Sequence, residues 1–499
     1  RNIHENSLKY NSYMASLYMD RGYNYLYNIK DSKLAKKNLT ISSSMYFEEI
    51  FEKGNYSNSS TLATINRDLT KIYNEFGKYY LARYTGLRAL NYLQKYDSLN
   101  QSKKFVGDID NLYWRLARSN RMLENYPKSI LNYKKAIEGF KKISITSYPN
   151  KSLWIGYLYG DLGYTFQEAS KLDSAEQNFI KSIEYFKNSN VDSTSTASLG
   201  VAFSNLGFLY LLDGKFEKAR NSFNDYNRLF QGSSQNDINW CLFYAAQNKR
   251  DEFYQTFKKA AQNNREEFYE NSNFLASLSN LKQYKLSIEV CDSSLNYYLK
   301  KKHSTPDCCS QRIAGIYVEM AYANRKLKEF DKADQAYKNA LFYYQKVSDS
   351  INPMIDRYKA DVHSNIGRIS LRTRNFAKAK ESFENYDNFD DLSAHHFLNW
   401  SEYYSMLNDK VKAIEYLGKA YKTGDLIQLD TSNILFANIR NEHGFKDIYN
   451  NILQAENKKK SLTNQSQNKT NSISSNGKIK IFNNNSFDVI ISLVSDNDA

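Results

Sequence analysis

Three groups of side chains in this 499-residue sequence have the types and spacing to do chemistry. The first is His303 with the vicinal pair Cys308-Cys309. A cysteine nucleophile needs a thiolate and a base within hydrogen-bond reach, but the segment carries Pro306 and turn residues, and no Asp or Asn stands at motif spacing to orient the imidazole. The second is His395-His396 ahead of Trp400, which reads as a polar pair at a helix start. The third is Arg115, Arg118 and Arg121, each three residues from the next and so on one side of a helix. Guanidinium groups grip carboxylates through paired hydrogen bonds, so this chemistry is recognition rather than bond making. His4, His363 and His443 stand alone, and the sequence holds no His-Glu-x-x-His, no paired Cys-x-x-Cys, no glycine-rich phosphate loop and no Gly-x-Ser-x-Gly turn. The expectation is a protein that is not an enzyme, with no catalytic residue, metal or cofactor.

The elements that position these side chains repeat along the chain. Length alone argues for several domains or a linear array. With four prolines and nineteen glycines the sequence is short of turn formers, which favours helices joined by short loops. Around Leu162-Gly163 the chain places Phe166 four residues on, Leu172 ten on, Ala175 thirteen on, Phe179 seventeen on and Ser182 twenty on. That spacing predicts two helices and a tight turn, with small residues letting the backbones approach and rings filling the gap to the next pair. It recurs around Leu69 (Tyr73, Tyr79, Ala82, Ala89), Leu116-Ala117 (Tyr126, Ser129, Tyr133, Ala136) and Leu206-Gly207 (Tyr210, Phe216, Ala219, Phe223). Two further copies follow around Met320-Ala321 (Phe330, Ala333, Tyr337, Ala340) and Ile366-Gly367 (Phe376, Ala379, Phe383), with weaker ones around Trp240, Phe274 and Trp400 and a degenerate pair over 8–50. The pattern resembles the tetratricopeptide repeat, of the kind found in bacterial arrays, and the resemblance implies an all-α, right-handed helical-repeat solenoid.

A longer period divides the array. Ser204-Asn205-Leu206-Gly207 sits 160 residues before Ser364-Asn365-Ile366-Gly367, and Phe216, Ala219, Phe223, Tyr226 and Asn239-Trp240 recur at the same offset. The expected organisation is an N-terminal degenerate pair and repeat over 1–108, a four-repeat block over 109–266 and its duplicate over 267–425. A helical cap follows over 426–455, in which Phe436, Ile439, Phe445 and Ile448 fall at helical spacing. Residues 456–476 read as a flexible linker, and 477–499, with Ile479, Ile481, Val489, Ile491 and Leu493 around an Asn triplet, as a β-hairpin or the start of a truncated β domain.

In the family that the pattern resembles, the first helix of each pair lines the concave surface. The resemblance therefore implies a groove lined by Arg67 and Lys71, by Trp114, Arg115, Arg118 and Arg121, by Asp161 and Tyr164, by Asn205 and Phe208, by Glu319, Tyr322 and Arg325, and by Asn365, Arg368 and Arg372. Arginines suit carboxylates and an asparagine can clamp a peptide backbone, so the expected function is a protein-interaction scaffold or adaptor that binds an acidic peptide or partner protein. Two alternatives stay open. The start at Arg1, the linker and the hairpin fit the sensor region of a larger bacterial signalling or CHAT-protease-type protein. The net charge of +14 fits RNA, although 68 basic residues are spread among 54 acidic ones rather than gathered in a patch. Four cysteines are too few for a disulfide framework, no run reaches the ~18 apolar residues of a membrane helix, and the first thirty residues lack signal-peptide order, which favours a cytoplasmic location.

Overall fold

The computed structural model describes residues 2–29, 31–53, 59–100, 106–143, 150–189, 193–263, 272–301, 306–347, 352–389, 393–425 and 429–454. Within them the chain runs as ten helix pairs. The first five are α1 Asn2–Tyr23 with α2 Ser32–Lys53, α3 Ser59–Glu75 with α4 Tyr79–Asn100, α5 Val106–Met122 with α6 Tyr126–Lys142, α7 Lys151–Glu168 with α8 Leu172–Lys187, and α9 Ser193–Leu212 with α10 Phe216–Leu229. The other five are α11 Ser234–Ala246 with α12 Arg250–Asn263, α13 Ser272–Asn280 with α14 Tyr284–Lys301, α15 Pro306–Lys326 with α16 Phe330–Tyr344, α17 Ile355–Arg372 with α18 Phe376–Asp387, and α19 Ala394–Met406 with α20 Lys410–Lys422. A 3-10 turn, Ile434–Phe436, and a last helix α21 over 443–454 lie against the tenth pair through Phe436, Ile439, Phe445 and Ile452. The described residues contain no strand, and the linker and hairpin predicted over 456–499 lie outside them.

One turn geometry closes nine of these pairs. Gly77, Glu124, Ser170, Gly214, Asn248, Lys282, Lys328, Arg374 and Asn408 all hold φ between 56° and 69°. The next residue in each case donates its N–H to the carbonyl five positions back, as in Lys78 to Tyr73, Asn125 to Asn120 and Glu329 to Asn324, at 2.8–2.9 Å. This is the Schellman helix stop, which favours glycine because a Cβ crowds the left-handed conformation. Only two of the nine positions carry glycine. Lys328→Gly is therefore expected to stabilise the protein by about 0.5–1 kcal/mol, read as a higher urea midpoint at unchanged slope; a lower midpoint would show that the lysine side chain contributes more than its backbone strain costs.

Packing within the pairs follows the predicted small-on-large scheme. A Cβ placed on Gly163, Gly207 or Gly367 would sit 2.8, 2.2 or 2.3 Å from the ring of Phe179, Phe223 or Phe383 in the facing helix. Those three rings are fully buried, and a single apolar core runs without a break from Ala117 to Ile369. Helix α9 is long and apolar enough to cross a membrane by length and composition, although serines and glycines interrupt its apolar run. Here it is the first helix of the fifth pair, packed on α7, α8, α10 and α11.

Curvature decides which face can meet a partner. The first helices of neighbouring pairs pack directly on one another, α3 on α5, α7 on α9, α9 on α11, α11 on α13, α13 on α15 and α17 on α19, whereas successive second helices make no comparable contact. The first-helix layer is thus the shorter, inner one. The winding is tight enough that the second and third pairs touch the ninth and tenth: Tyr79 Oη donates to the Met354 sulfur at 3.8 Å, and Arg83 pairs with Asp425.

Candidate functional site

The inner face is built from the first helices, and side-chain hydrogen bonds join α3 to α5, α5 to α7, α7 to α9, α9 to α11 and α17 to α19 in a ladder. Arg67 Nη1 donates to Asp108 Oδ1 at 2.6 Å, Trp114 Nε1 to Asp161 Oδ2 at 2.9 Å, and Arg121 Nη1 to Glu168 Oε1 at 2.9 Å. Farther along, Tyr164 Oη donates to Asn205 Oδ1 at 2.5 Å, Ser204 Oγ to Asn239 Oδ1 at 2.6 Å, and Arg368 Nη2 to Glu402 Oε1 at 2.8 Å. Asn399 Nδ2 donates to Ser364 Oγ at 3.0 Å, linking the same two positions 160 residues after Ser204 and Asn239.

The ladder sorts the residues that the sequence assigned to the groove. Arg67, Arg121 and Arg368 are already answered by carboxylates on the neighbouring helix, and Lys71 lies 3.9 Å from Glu75 one turn on. Tyr164 and Asn205 are tied to each other, and Asn365 Nδ2 donates to the Asp361 carbonyl of its own helix at 2.8 Å. The Asn205 Oδ1 and the Asn365 Nδ2 are thus engaged inside the wall. Four of the arginines assigned to the groove have no carboxylate partner among the described residues. Arg115 donates only to Asn111 Oδ1 at 2.8 Å, and burial, opposed by Asp68 and reinforced by Arg67, lowers its basicity. Arg118 is exposed. Arg325 lies over the Tyr322 ring at 5.3 Å with its Nε buried and unpaired. Burial and the adjacent Arg368 lower the basicity of Arg372. The inner wall therefore carries two cationic stretches, one on α5 and one across α15 and α17.

Two acids sit in the same layer at equivalent places, 158 residues apart. Burial raises the Asp161 carboxyl, against the Trp114 hydrogen bond and Arg121. Glu319 has no partner among the described residues, and burial alone pushes it up to about 7. Between its unfolded value of 4.5 and 7 the folded chain holds the extra proton, so stability falls as pH rises through that window and is level above it. Glu319→Gln is expected to remove the slope and to gain roughly 1–2 kcal/mol at pH 8, checked by urea midpoints across pH; parallel curves for the two proteins would count against it.

Elsewhere, His396 Nδ1 lies 2.9 Å from Asp387 Oδ1, and Asp387 Oδ2 accepts from Trp400 Nε1 at 2.9 Å, which braces the turn into α19. Cys309 is buried and His303 lies outside the described residues. No three His, Cys, Asp or Glu side chains among the described residues could hold a metal ion. The residues that the sequence did not assign to any contact between distant pairs are Tyr79, read only as a repeat position, and Arg83, Asn125, Arg357 and Asp425, all at the junction of the two ends.

No protein-family model matches the chain, and no curated protein matches it. Among solved structures, the apo form of RapI is 14% identical over 66% of this chain and 98% of its own, with a TM-score of 0.36. A tetratricopeptide repeat protein from Parabacteroides merdae is 12% identical over 56% and 100%, with a TM-score of 0.34. PilF from Pseudomonas aeruginosa is 13% identical over 50% and 99%, with a TM-score of 0.31. At these scores the likenesses carry no weight on what the chain binds, and the repeat type rests on its own geometry. Paired helices closed by one turn, packed small on large, with the first helices innermost, make the chain a helical-repeat solenoid of the tetratricopeptide type.

Proposed function

We propose that the chain is a scaffold that holds a partner protein by an acidic segment laid along the inner face of the first helices. The observation that supports this is the set of four inner-face arginines, Arg115, Arg118, Arg325 and Arg372, without a carboxylate partner among the described residues. A partly desolvated guanidinium next to other cations is stabilised by an incoming carboxylate, which forms a charge-assisted hydrogen bond there. Neighbouring arginines that already have partners would set the register without adding much affinity.

The test is fluorescence anisotropy with a labelled twelve-residue Asp/Glu-rich peptide, with an RNA oligonucleotide of equal charge as comparison. Arg115→Glu with Arg118→Glu is expected to weaken peptide binding roughly tenfold or more, and Lys134→Glu with Lys181→Glu on the second helices to leave it unchanged. Equal loss from both variants, or tighter binding of RNA than of peptide, would overturn the reading.

A further inference from the structure

The two ends of the solenoid meet through a buried, specific junction. Tyr79, Arg83, Asn125 and Asp425 are each at most 7% exposed. Asn125 Nδ2 donates to Gly424 O at 2.7 Å and to Asp425 Oδ1 at 3.2 Å, Arg83 Nη2 donates to Thr423 O at 3.3 Å, and Lys128 Nζ reaches Gly424 O at 3.3 Å. Nearby, the Arg357 guanidinium lies over the rings of Tyr79 and Phe389, at 5.7 and 5.6 Å. Gly77 approaches so closely that a Cβ there would stand 2.9 Å from the Arg357 side chain.

The edges that touch are opposite ones. Gly77, Glu124 and Asn125 belong to turns inside pairs, whereas Met354, Phe389 and Asp425 lie in the segments that precede or follow a pair, and His395, 3.7 Å from Glu124, sits in the first turn of α19. A ribbon of helix pairs whose upper edge meets its lower edge has wound through one full turn, here in the seven steps from the second pair to the ninth. Helices pack about 8–10 Å apart, so seven steps give a path of about 60–70 Å and an axis-to-axis diameter of about 20 Å. Subtracting one helix width of about 10 Å leaves a bore about 10 Å across. That is room for one chain and far too little for a folded domain.

We infer that the solenoid is a closed collar whose bore takes a single acidic chain segment, and that the Arg83–Asp425 junction is the clasp that holds it shut. The occupant rests on the proposed function; the closure does not. The clasp is built to release. Asp425 Oδ2 has no hydrogen-bond partner, and a buried ion pair with an unsatisfied oxygen gives register more than net stability. A chain with free ends can thread the closed collar, whereas a segment blocked at both ends can enter only when the clasp opens.

Two measurements on the full chain test this. Small-angle X-ray scattering is expected to give a larger radius of gyration for Arg83→Asp, with helical circular dichroism unchanged, and a return to the wild-type value when Asp425→Arg is added. An unchanged radius in Arg83→Asp would overturn the closure. In stopped-flow binding, the acidic twelve-residue peptide is compared with the same peptide carrying a folded domain at each end. The blocked peptide is expected to associate roughly tenfold or more slowly with the wild type, and at the free-ended rate with Arg83→Asp. Equal rates on the wild type would overturn the enclosed bore. Failure of both peptides to bind would remove the occupant together with the groove reading, while the scattering still decides the closure.

Discussion

Phe223→Ala is expected to lower stability by about 3–5 kcal/mol, and the loss should be recovered in part by adding a methyl group elsewhere. The Phe223 ring is fully buried, stands edge-on to Trp240 at 6.3 Å, and lies 2.2 Å from where a Cβ of Gly207 would be. Gly207→Ala alone should destabilise by about 1–3 kcal/mol, because the ring must shift within a close-packed layer. In the Phe223→Ala background the same methyl enters vacated space, and alanine's helix preference over glycine, about 1 kcal/mol, acts unopposed. A double-mutant cycle should therefore give a coupling of about 2 kcal/mol or more; additive effects would show that the ring and the glycine are not in contact. Position in the array adds a second readout. Each pair contacts chiefly its neighbours, so the central lesson should raise hydrogen exchange on both sides, in α7 to α12, whereas the equivalent Phe383→Ala should affect mainly the C-terminal pairs.

The helix pairs were legible because their spacing is the physical cause of their packing. A Gly beside the key Leu or Ile, with an Ala twelve residues on and a Phe sixteen on in the next helix, states which backbone approaches which ring. Gly163 with Phe179, Gly207 with Phe223 and Gly367 with Phe383 are read directly from that arrangement. The turns were legible in place but not in conformation. A lysine at 328 and an arginine at 374 take the left-handed conformation that glycine takes at 77 and 214, because the nine-fold repeated hydrogen bond outweighs a modest local strain. The inner face was legible as a layer, since first-helix residues fall at fixed offsets from each key Leu. Which arginines are neutralised was not, although a signal existed: the acids that answer Arg67, Arg121 and Arg368 lie one repeat on, at Asp108, Glu168 and Glu402. The junction had no local signal. Arg83 and Asp425 are 342 residues apart, and their meeting depends on the summed twist of seven pairs, to which every crossing angle contributes.

Glu402→Ala should cost about 2–3 kcal/mol, for an electrostatic reason. Glu402 is 2% exposed, and its Oε1 accepts from Arg368 at 2.8 Å and from Asn433 Nδ2 at 3.0 Å. It pairs with Arg368 and acts on Arg372 only through its charge at longer range, with Arg325 close by. Removing it takes a charge-assisted hydrogen bond from Arg368, which is 34% exposed and so stays partly hydrated, and leaves it beside two other cations, a loss of about 2–3 kcal/mol. The damage should concentrate in the C-terminal cap, because Asn433 also starts the turn at Ile434–Phe436 through its bond to the Leu435 N–H. Faster hydrogen exchange over 429–454, with α3 to α8 unaffected, is the expected pattern. Glu402→Gln separates charge from geometry. The amide oxygen can keep both hydrogen bonds, so the fold should lose only about 1 kcal/mol, while Arg368 joins Arg325 and Arg372 as a cation without a carboxylate. If the inner face binds acidic chains, the glutamine variant should hold the twelve-residue acidic peptide more tightly than the wild type. A folded Glu402→Gln protein with unchanged peptide affinity would remove the α15 and α17 stretch from the binding face and leave recognition to Arg115 and Arg118 alone.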